Sequence, residues 1–128
     1  MNRTVLLVGP DLGFVFWLGR ALDQAGYEAF PARDLAAAAE TVSEFHLTPG
    51  LLILTASIPG SKELIADLKR LHEQVRVLCL AEAVGGNHVA ADGVYPRPAA
   101  MTEEAKAELL KVISAVLVDH PVAADNSR

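Results

Sequence analysis

The sequence has little cysteine, no cluster of basic residues and no long hydrophobic run. Its one cysteine, Cys79, has no partner within the chain, so an internal disulfide is excluded. The 16 acidic residues outnumber the 11 basic ones, the net charge is −5, and the densest basic segment is Lys69-Arg70. We expect no nucleic-acid partner, because phosphate binding needs a positively charged surface.

The apolar runs are also too short to enter a membrane. Residues 5–8 form an apolar run that stops at Gly9-Pro10, whereas a membrane-spanning helix needs about 20 apolar residues. The same run is too short for the apolar part of a signal peptide. We therefore expect no membrane partner and a location in the reducing cytoplasm.

The length and composition suit one domain with a substantial core. The chain has 128 residues, of which 52% are hydrophobic. We expect a single domain over residues 1–118. Residues 119–128 are mostly polar and contain Pro121, which stops a helix, so they are expected to form a flexible tail.

Short apolar runs alternate with longer segments of helical period. This alternation predicts βαβ units and an α/β fold, in which helices cover both faces of a doubly wound, five-stranded parallel sheet. The predicted strands are residues 4–8, 27–31, 51–54, 76–80 and 93–95. The predicted helices are residues 13–25, 34–45, 62–73 and 103–118, with Asp34, Ser61 and Thr102 as N-caps.

Between the last two strands, residues 82–92 must contain the remaining helix, although their composition opposes one. Gly85-Gly86 costs about 2 kcal/mol in a helix relative to two alanines. We expect this fourth helix of the sequence to be short or irregular.

Four segments occur in a characteristic order. They are residues 5–8, the pattern Leu18-x3-Leu22-x3-Gly26-Tyr27, the apolar run 51–60 closed by Pro59-Gly60, and residues 91–98, which read Ala-Asp-Gly-Val-Tyr-Pro-Arg-Pro. Together they resemble the receiver domain of response regulators over about residues 4–118. The resemblance implies a flavodoxin-like, CheY-like fold with strand order 2-1-3-4-5.

The resemblance also implies a phosphorylation pocket, and most of its chemical groups are missing. Receiver domains use an acidic pair after strand one, an acceptor aspartate after strand three, a Thr or Ser after strand four and a lysine before the last proline. These places hold Gly9, Pro10, Thr55, Ala81 and Arg97. Mg2+ requires carboxylate oxygens, so we expect a degenerate, non-phosphorylatable pseudo-receiver with no catalytic residue, metal or cofactor.

Two charged residues beside this degenerate pocket have alternative roles. Asp11 either caps the helix that begins near Gly13 or turns into the cleft as a lone ligand. Arg97 either locks the cleft by hydrogen bonds to Thr55 or to backbone carbonyls, or points into solvent. The capping and locking roles are the ones we expect.

Thr55 and Ser57 are predicted to lie at the carboxyl edge of the sheet, where doubly wound folds bind ligands. With Asp11 and Arg97 they form a candidate cleft for a small anion, which gives a sensor of small ligands as the alternative function. No histidine or carboxylate is placed to activate either hydroxyl, so we do not expect an enzyme.

The first predicted helix presents an aromatic side chain to solvent. At about 100° per residue, Phe16 lies opposite the apolar stripe and beside Arg20, while Trp17 lies on the flank. The pair is either a chance apolar pair or a binding surface, and we expect a surface for a signalling protein or a second copy of the chain. The apolar stripe consists of Phe14, Val15, Leu18, Ala21, Leu22 and Ala25.

The parts that move during receiver signalling are altered as well. By the resemblance, the aromatic switch residue lies three positions before the basic residue, where this chain has Val94. The segment 82–92 is also shorter than usual. The sequence therefore predicts constant protein–protein contact in signal transduction, with no phosphorelay switch.

Overall fold

The computed structural model describes residues 3–55, 61–71, 75–81 and 93–118, which contain five strands and four helices. The strands are β1 (Thr4–Val8), β2 (Glu28–Ala32), β3 (Leu51–Leu54), β4 (Arg76–Ala81) and β5 (Gly93–Pro96). The helices are α1 (Leu12–Gln24), α2 (Leu35–Phe45), α3 (Ser61–Leu71) and α4 (Glu103–Val118).

All neighbouring strands are parallel, and their order is β2-β1-β3-β4-β5. The predicted fold class and strand order are therefore confirmed. The bounds of β1, β3 and α4 are as predicted, and the other elements differ by one or two residues at an end. The strand order reverses between β1 and β3, so the crevice of the fold opens where these two strands end.

The central strands are apolar on both faces because helices cover both sides of the sheet. Val5 and Leu7 of β1 face α1 and α4, whereas Leu6 and Val8 face α2 and α3. All residues of β3 are buried in the same way. Each fully buried leucine stabilises the fold by about 1.5–3 kcal/mol, so these two layers hold the strand ends in place.

Side-chain oxygens cap three of the helices. Asp11, Asp34 and Thr102 each accept a hydrogen bond from the amide three residues later, at 3.2, 2.8 and 3.1 Å. The predicted caps at Asp34 and Thr102 are confirmed. The third helix, α3, begins at Ser61, one residue before its predicted start.

The C-terminal end of α1 is held by Arg3, the residue before β1. Gly26 has a φ of 92°, a conformation that favours glycine. Arg3 donates to the carbonyl oxygens of Ala25 at 2.9 Å and Gly26 at 2.8 Å, and its guanidinium carbon lies 4.2 Å from the centroid of the Tyr27 ring. Ala25 was predicted in the core stripe; it is instead the exposed C-cap of α1, because the helix ends one residue early.

The edge strand β2 contains a proline where the sheet tolerates it. Glu28 donates to the Arg3 carbonyl at 2.9 Å, and the Ala32 carbonyl accepts from Gly9 at 3.0 Å. The even-numbered residues of β2 therefore bond to β1, and Pro31 faces outward, where an N–H group has no sheet partner. The missing donor also blunts this edge against pairing with another chain.

Several predictions fall outside the described residues, namely the short helix in 82–92, the Pro59-Gly60 turn and the tail 119–128. Cys79 of β4 is buried, and burial raises the pKa of its thiol. Among the described residues, no helix is long and apolar enough to cross a membrane.

Candidate functional site

The candidate site lies at the carboxyl edge of the sheet, where β1, β3 and β5 end. Val8 of β1 is in register with Leu54 of β3. The next residues, Gly9 and Thr55, are therefore neighbours across the crevice. Arg97 follows β5 at the same edge.

Thr55 is a completely buried polar residue whose hydrogen bonds are satisfied. Its side chain is 0% exposed, and its hydroxyl donates to the carbonyl oxygen of Val8 at 3.3 Å. The Thr55 amide donates to the same oxygen at 2.9 Å. The hydroxyl thus contributes to packing between two strands, and its one hydrogen-bond partner among the described residues is a carbonyl, which does not activate it as a nucleophile.

Gly9 is buried directly against the Thr55 side chain. A Cβ atom at position 9 would lie 1.7 Å from Thr55 Oγ1, 3.1 Å from Thr55 Cβ and 3.4 Å from a methyl carbon of Val15. The first of these separations is impossible for non-bonded atoms. The Thr55 hydroxyl therefore fills the space through which a side chain at position 9 would enter the crevice.

Asp11 uses both of its carboxylate oxygens. One accepts the capping hydrogen bond from the amide of Phe14 at 3.2 Å, and the other accepts a hydrogen bond from Arg97 within an ion pair. The bond from Arg97, followed by that from the Phe14 amide, holds the pKa of Asp11 below its ordinary value. The predicted capping role is confirmed, and the carboxylate does not turn into the cleft as a metal ligand.

Arg97 lies across the start of α1. Its guanidinium carbon is 4.4 Å from the centroid of the Phe14 ring, and its side chain is only 17% exposed. Among the described residues, Arg97 bonds to Asp11, so the predicted hydrogen bonds to Thr55 or to backbone carbonyls are wrong. The solvent-exposed alternative is wrong as well. The Thr55 hydroxyl is buried and already donates to Val8, whereas Asp11 offers an opposite charge and Phe14 an aromatic face.

The remaining members of the predicted pocket add no acidic group. Pro10 is exposed, and Ala81 is in register with Pro96 at the end of β4. Ser57 lies outside the described residues. Within the described part of the chain, no three His, Cys, Asp or Glu side chains come together as a metal site. The Thr55 hydroxyl is not presented to a ligand, so the arrangement gives no support to the predicted anion cleft.

Solved structures with the same architecture include receiver domains. A CheY-like receiver domain protein from Methanospirillum hungatei JF-1 superposes with a TM-score of 0.73 at 16% identity, over 93% of this chain and 96% of that one. The chain has the receiver-domain fold. No protein-family model and no curated protein sequence matches it.

Two further structures share this receiver fold. A chemotaxis protein of Vibrio cholerae gives a TM-score of 0.71 at 20% identity, covering 91% of this chain and 99% of that chain. A receiver-modulated diguanylate cyclase from Pelobacter carbinolicus gives a TM-score of 0.68 at 23% identity, covering 97% of this chain and 99% of that chain. At these identities the likeness establishes the fold alone.

Within the receiver fold, one face of α1 carries the predicted exposed residues. Phe16 is 57% exposed, Arg20 is exposed, and Trp17 is half-buried against the core. The Trp17 ring centroid lies 5.5 Å from that of Phe14. The predicted exposure of all three residues is confirmed, and we call Phe16, Trp17 and Arg20 the α1 face.

The edge strand β5 carries Val94, at the position where the resemblance implied an aromatic switch residue. Val94 is 52% exposed, whereas Tyr95 is half-buried and packs against the core shared by α1 and α4. The two side chains alternate across the strand, as the pleat requires. The position of the aromatic switch therefore carries a small side chain on the outer side of β5.

Phe14 has a second role that its place in the apolar stripe does not reveal. It was predicted as a core residue, which is correct, but its ring also supports Arg97. Asp11 and Arg97 are 86 positions apart, so no local pattern could have linked them. The one available signal was the basic residue itself, which the strand order brings to the same edge as α1.

Proposed function

We propose that this protein is a receiver-like signalling module that accepts no phosphoryl group and acts by constant protein–protein contact. The fold supports a role in signalling, since the similar structures include a chemotaxis protein and a receiver-modulated diguanylate cyclase. The free, buried thiol of Cys79 suits the reducing cytoplasm, where we place the protein.

The observation that carries this proposal is the contact between Thr55 and Gly9. In the chemistry that the receiver resemblance implies, the acceptor must be exposed to its phosphoryl donor and needs Mg2+ held by carboxylates. Thr55 is fully buried, Gly9 leaves no room for an acid beside it, and both oxygens of Asp11 are engaged. The end of the crevice between β1 and β3 is therefore closed by neutral packing, and the Asp11 carboxylate beside it is held in an ion pair with Arg97.

The α1 face is the surface we propose for the partner. Phe16 projects away from the core, and Trp17 contributes the accessible part of its ring beside it. Aromatic and arginine side chains are enriched among residues that dominate binding, and such anchors are each worth about 2 kcal/mol or more. The partner is a signalling protein or a second copy of the chain.

The Phe16→Ser substitution tests this surface with little risk to the fold, because the side chain is exposed. Phe45→Ser is the matched control, since Phe45 is a helical phenylalanine of similar exposure, 60%, at the end of α2 on the opposite side of the sheet. Trp17 is less suitable, because it also packs against the core. Circular dichroism verifies that both variants are folded.

Self-association is measured by light scattering after size-exclusion chromatography, and binding to another protein by crosslinking of the intact chain in its native lysate. We expect Phe16→Ser to weaken association by at least about 30-fold, the factor that corresponds to 2 kcal/mol, while Phe45→Ser leaves it unchanged. Equal association of wild type and Phe16→Ser would contradict the use of the α1 face.

A further inference from the structure

Consecutive contacts link the end of β5 to the exposed side of α1. The Arg97 guanidinium group pairs with the Asp11 carboxylate and lies 4.4 Å above the Phe14 ring. The Phe14 ring in turn meets the Trp17 ring at 5.5 Å between centroids and at 41° between planes. Arg97 therefore contacts both the cap of α1 and the ring that supports Trp17.

This geometry fixes the first turn of α1 at two points. Asp11 caps the helix with one oxygen and binds Arg97 with the other, so the ion pair orients the capping carboxylate. The guanidinium group covers the ring of Phe14, which is a buried residue. A shift of Phe14 would pass directly to Trp17, because interior side chains are close-packed.

We propose that Arg97 is a strap that fixes the α1 face from the end of β5, so that an internal ion pair, with no phosphate, sets the conformation of this face. Arg97 acts here as a positioning residue, through Asp11 and Phe14. The inference rests on the proposed function only for the use of the α1 face in docking. The strap itself is a property of the isolated chain.

The protein contains its own probe of the strap, because Trp17 is its single tryptophan. The variants are Arg97→Ala, which removes both contacts, and Asp11→Asn, which removes the ion pair but retains a good capping residue. In both variants we expect Trp17 emission to shift to longer wavelength and acrylamide quenching to become faster. In Arg97→Ala, hydrogen exchange of the α1 amides should quicken about two- to thirtyfold, the range that corresponds to loss of a cation–π contact on a buried ring.

Arg70→Ala is the matched control, because Arg70 pairs with Asp67 on α3, on the other side of the sheet from α1. It should leave emission, quenching and α1 exchange unchanged. If Arg97→Ala fails to fold, Arg97→Lys replaces it, since lysine retains the charge but lacks the flat guanidinium group.

A folded Arg97 or Asp11 variant with wild-type emission and quenching would overturn the strap. So would an equal response of the Arg70 control. Because these measurements need no partner, their outcome is independent of the association test on Phe16. If the Trp17 measurements contradict the strap, the proposal that the α1 face binds a partner is unaffected. If Phe16→Ser shows that the α1 face binds no partner, the strap is unaffected.

Discussion

The hydroxyl oxygen of Thr55 occupies the space that the first side-chain atom of any residue other than glycine would need at position 9. The two residues are adjacent because β1 and β3 pair in register up to Val8 and Leu54. The residues that positions 9 and 55 can hold are therefore linked by packing. Glycine at position 9 leaves room for the Thr55 hydroxyl, and neither residue provides a carboxylate for a metal ion.

A double-mutant cycle measures this link. Gly9→Ala should destabilise the wild type by about 1–3 kcal/mol, because the new Cβ overpacks the buried crevice. Thr55→Ala removes the clashing oxygen, so Gly9→Ala should cost about 1 kcal/mol less in that background. Urea unfolding of the four proteins gives the coupling free energy.

Gly13→Ala is the matched glycine control for this cycle. A Cβ atom there meets only the Asp11 carboxylate, at an ordinary 3.5 Å, and the position lies inside α1. Alanine should stabilise the protein by about 0.5–1 kcal/mol at this site. Additive free energies for positions 9 and 55, within about 0.5 kcal/mol, would contradict the linked packing.

The ion pair between Asp11 and Arg97 makes part of the stability depend on pH. The pKa of Asp11 is lowered in the folded protein. The ion pair therefore contributes fully to the free energy of unfolding when the pH is above the ordinary aspartate pKa, at about pH 4. The contribution is lost as the pH falls through the lowered folded-state value. Wild type should therefore be more stable than Asp11→Asn at pH 7, and the difference should shrink in acid.

The difference between wild type and Asp11→Asn is measured by urea unfolding at a series of pH values. Arg97→Ala provides the second background, in which the effect of Asp11→Asn at pH 7 should become smaller because the main cause of the pKa shift is gone. An unchanged difference between pH 7 and pH 3, or the same difference without Arg97, would show that the pair does not contribute.

Arg3 should be the most important exposed basic residue for stability. Arg3→Ala removes two hydrogen bonds to the end of α1 and the contact with Tyr27, for a loss of about 1–2 kcal/mol. The stability of Arg3→Lys should lie between that of wild type and that of Arg3→Ala, because one ammonium group cannot reproduce the fork of the guanidinium group. Thermal or urea unfolding measures both, and a loss equal to that of Arg70→Ala would contradict this role.

The sequence predicted the scaffold well because the scaffold depends on local patterns. The buried runs of β1 and β3 are continuous, the helices are amphipathic, and Asp34 and Thr102 mark two helix starts. The helical period also separated Phe16 from the core stripe correctly. These features are set by neighbours within a few residues, which a single sequence contains.

The site was predicted less completely because its contacts join distant segments. Sequence reasoning placed Arg97 at the correct edge but paired it with Thr55, although the hydroxyl is used by Val8 and the nearest opposite charge is Asp11. No pattern in the sequence linked the residues at positions 9 and 55. Only the register of β1 and β3 shows that one side chain fills the place of the other.

The most direct test of the account is the reaction of the full chain with acetyl phosphate and Mg2+, followed by intact-mass spectrometry. Wild type and Thr55→Asp are compared, because the variant restores the acceptor while Gly9 and Pro10 still provide no acids. We expect no phosphoryl adduct on either protein. A Mg2+-dependent mass gain of one phosphoryl group, mapped to residue 55 in either protein, would contradict it.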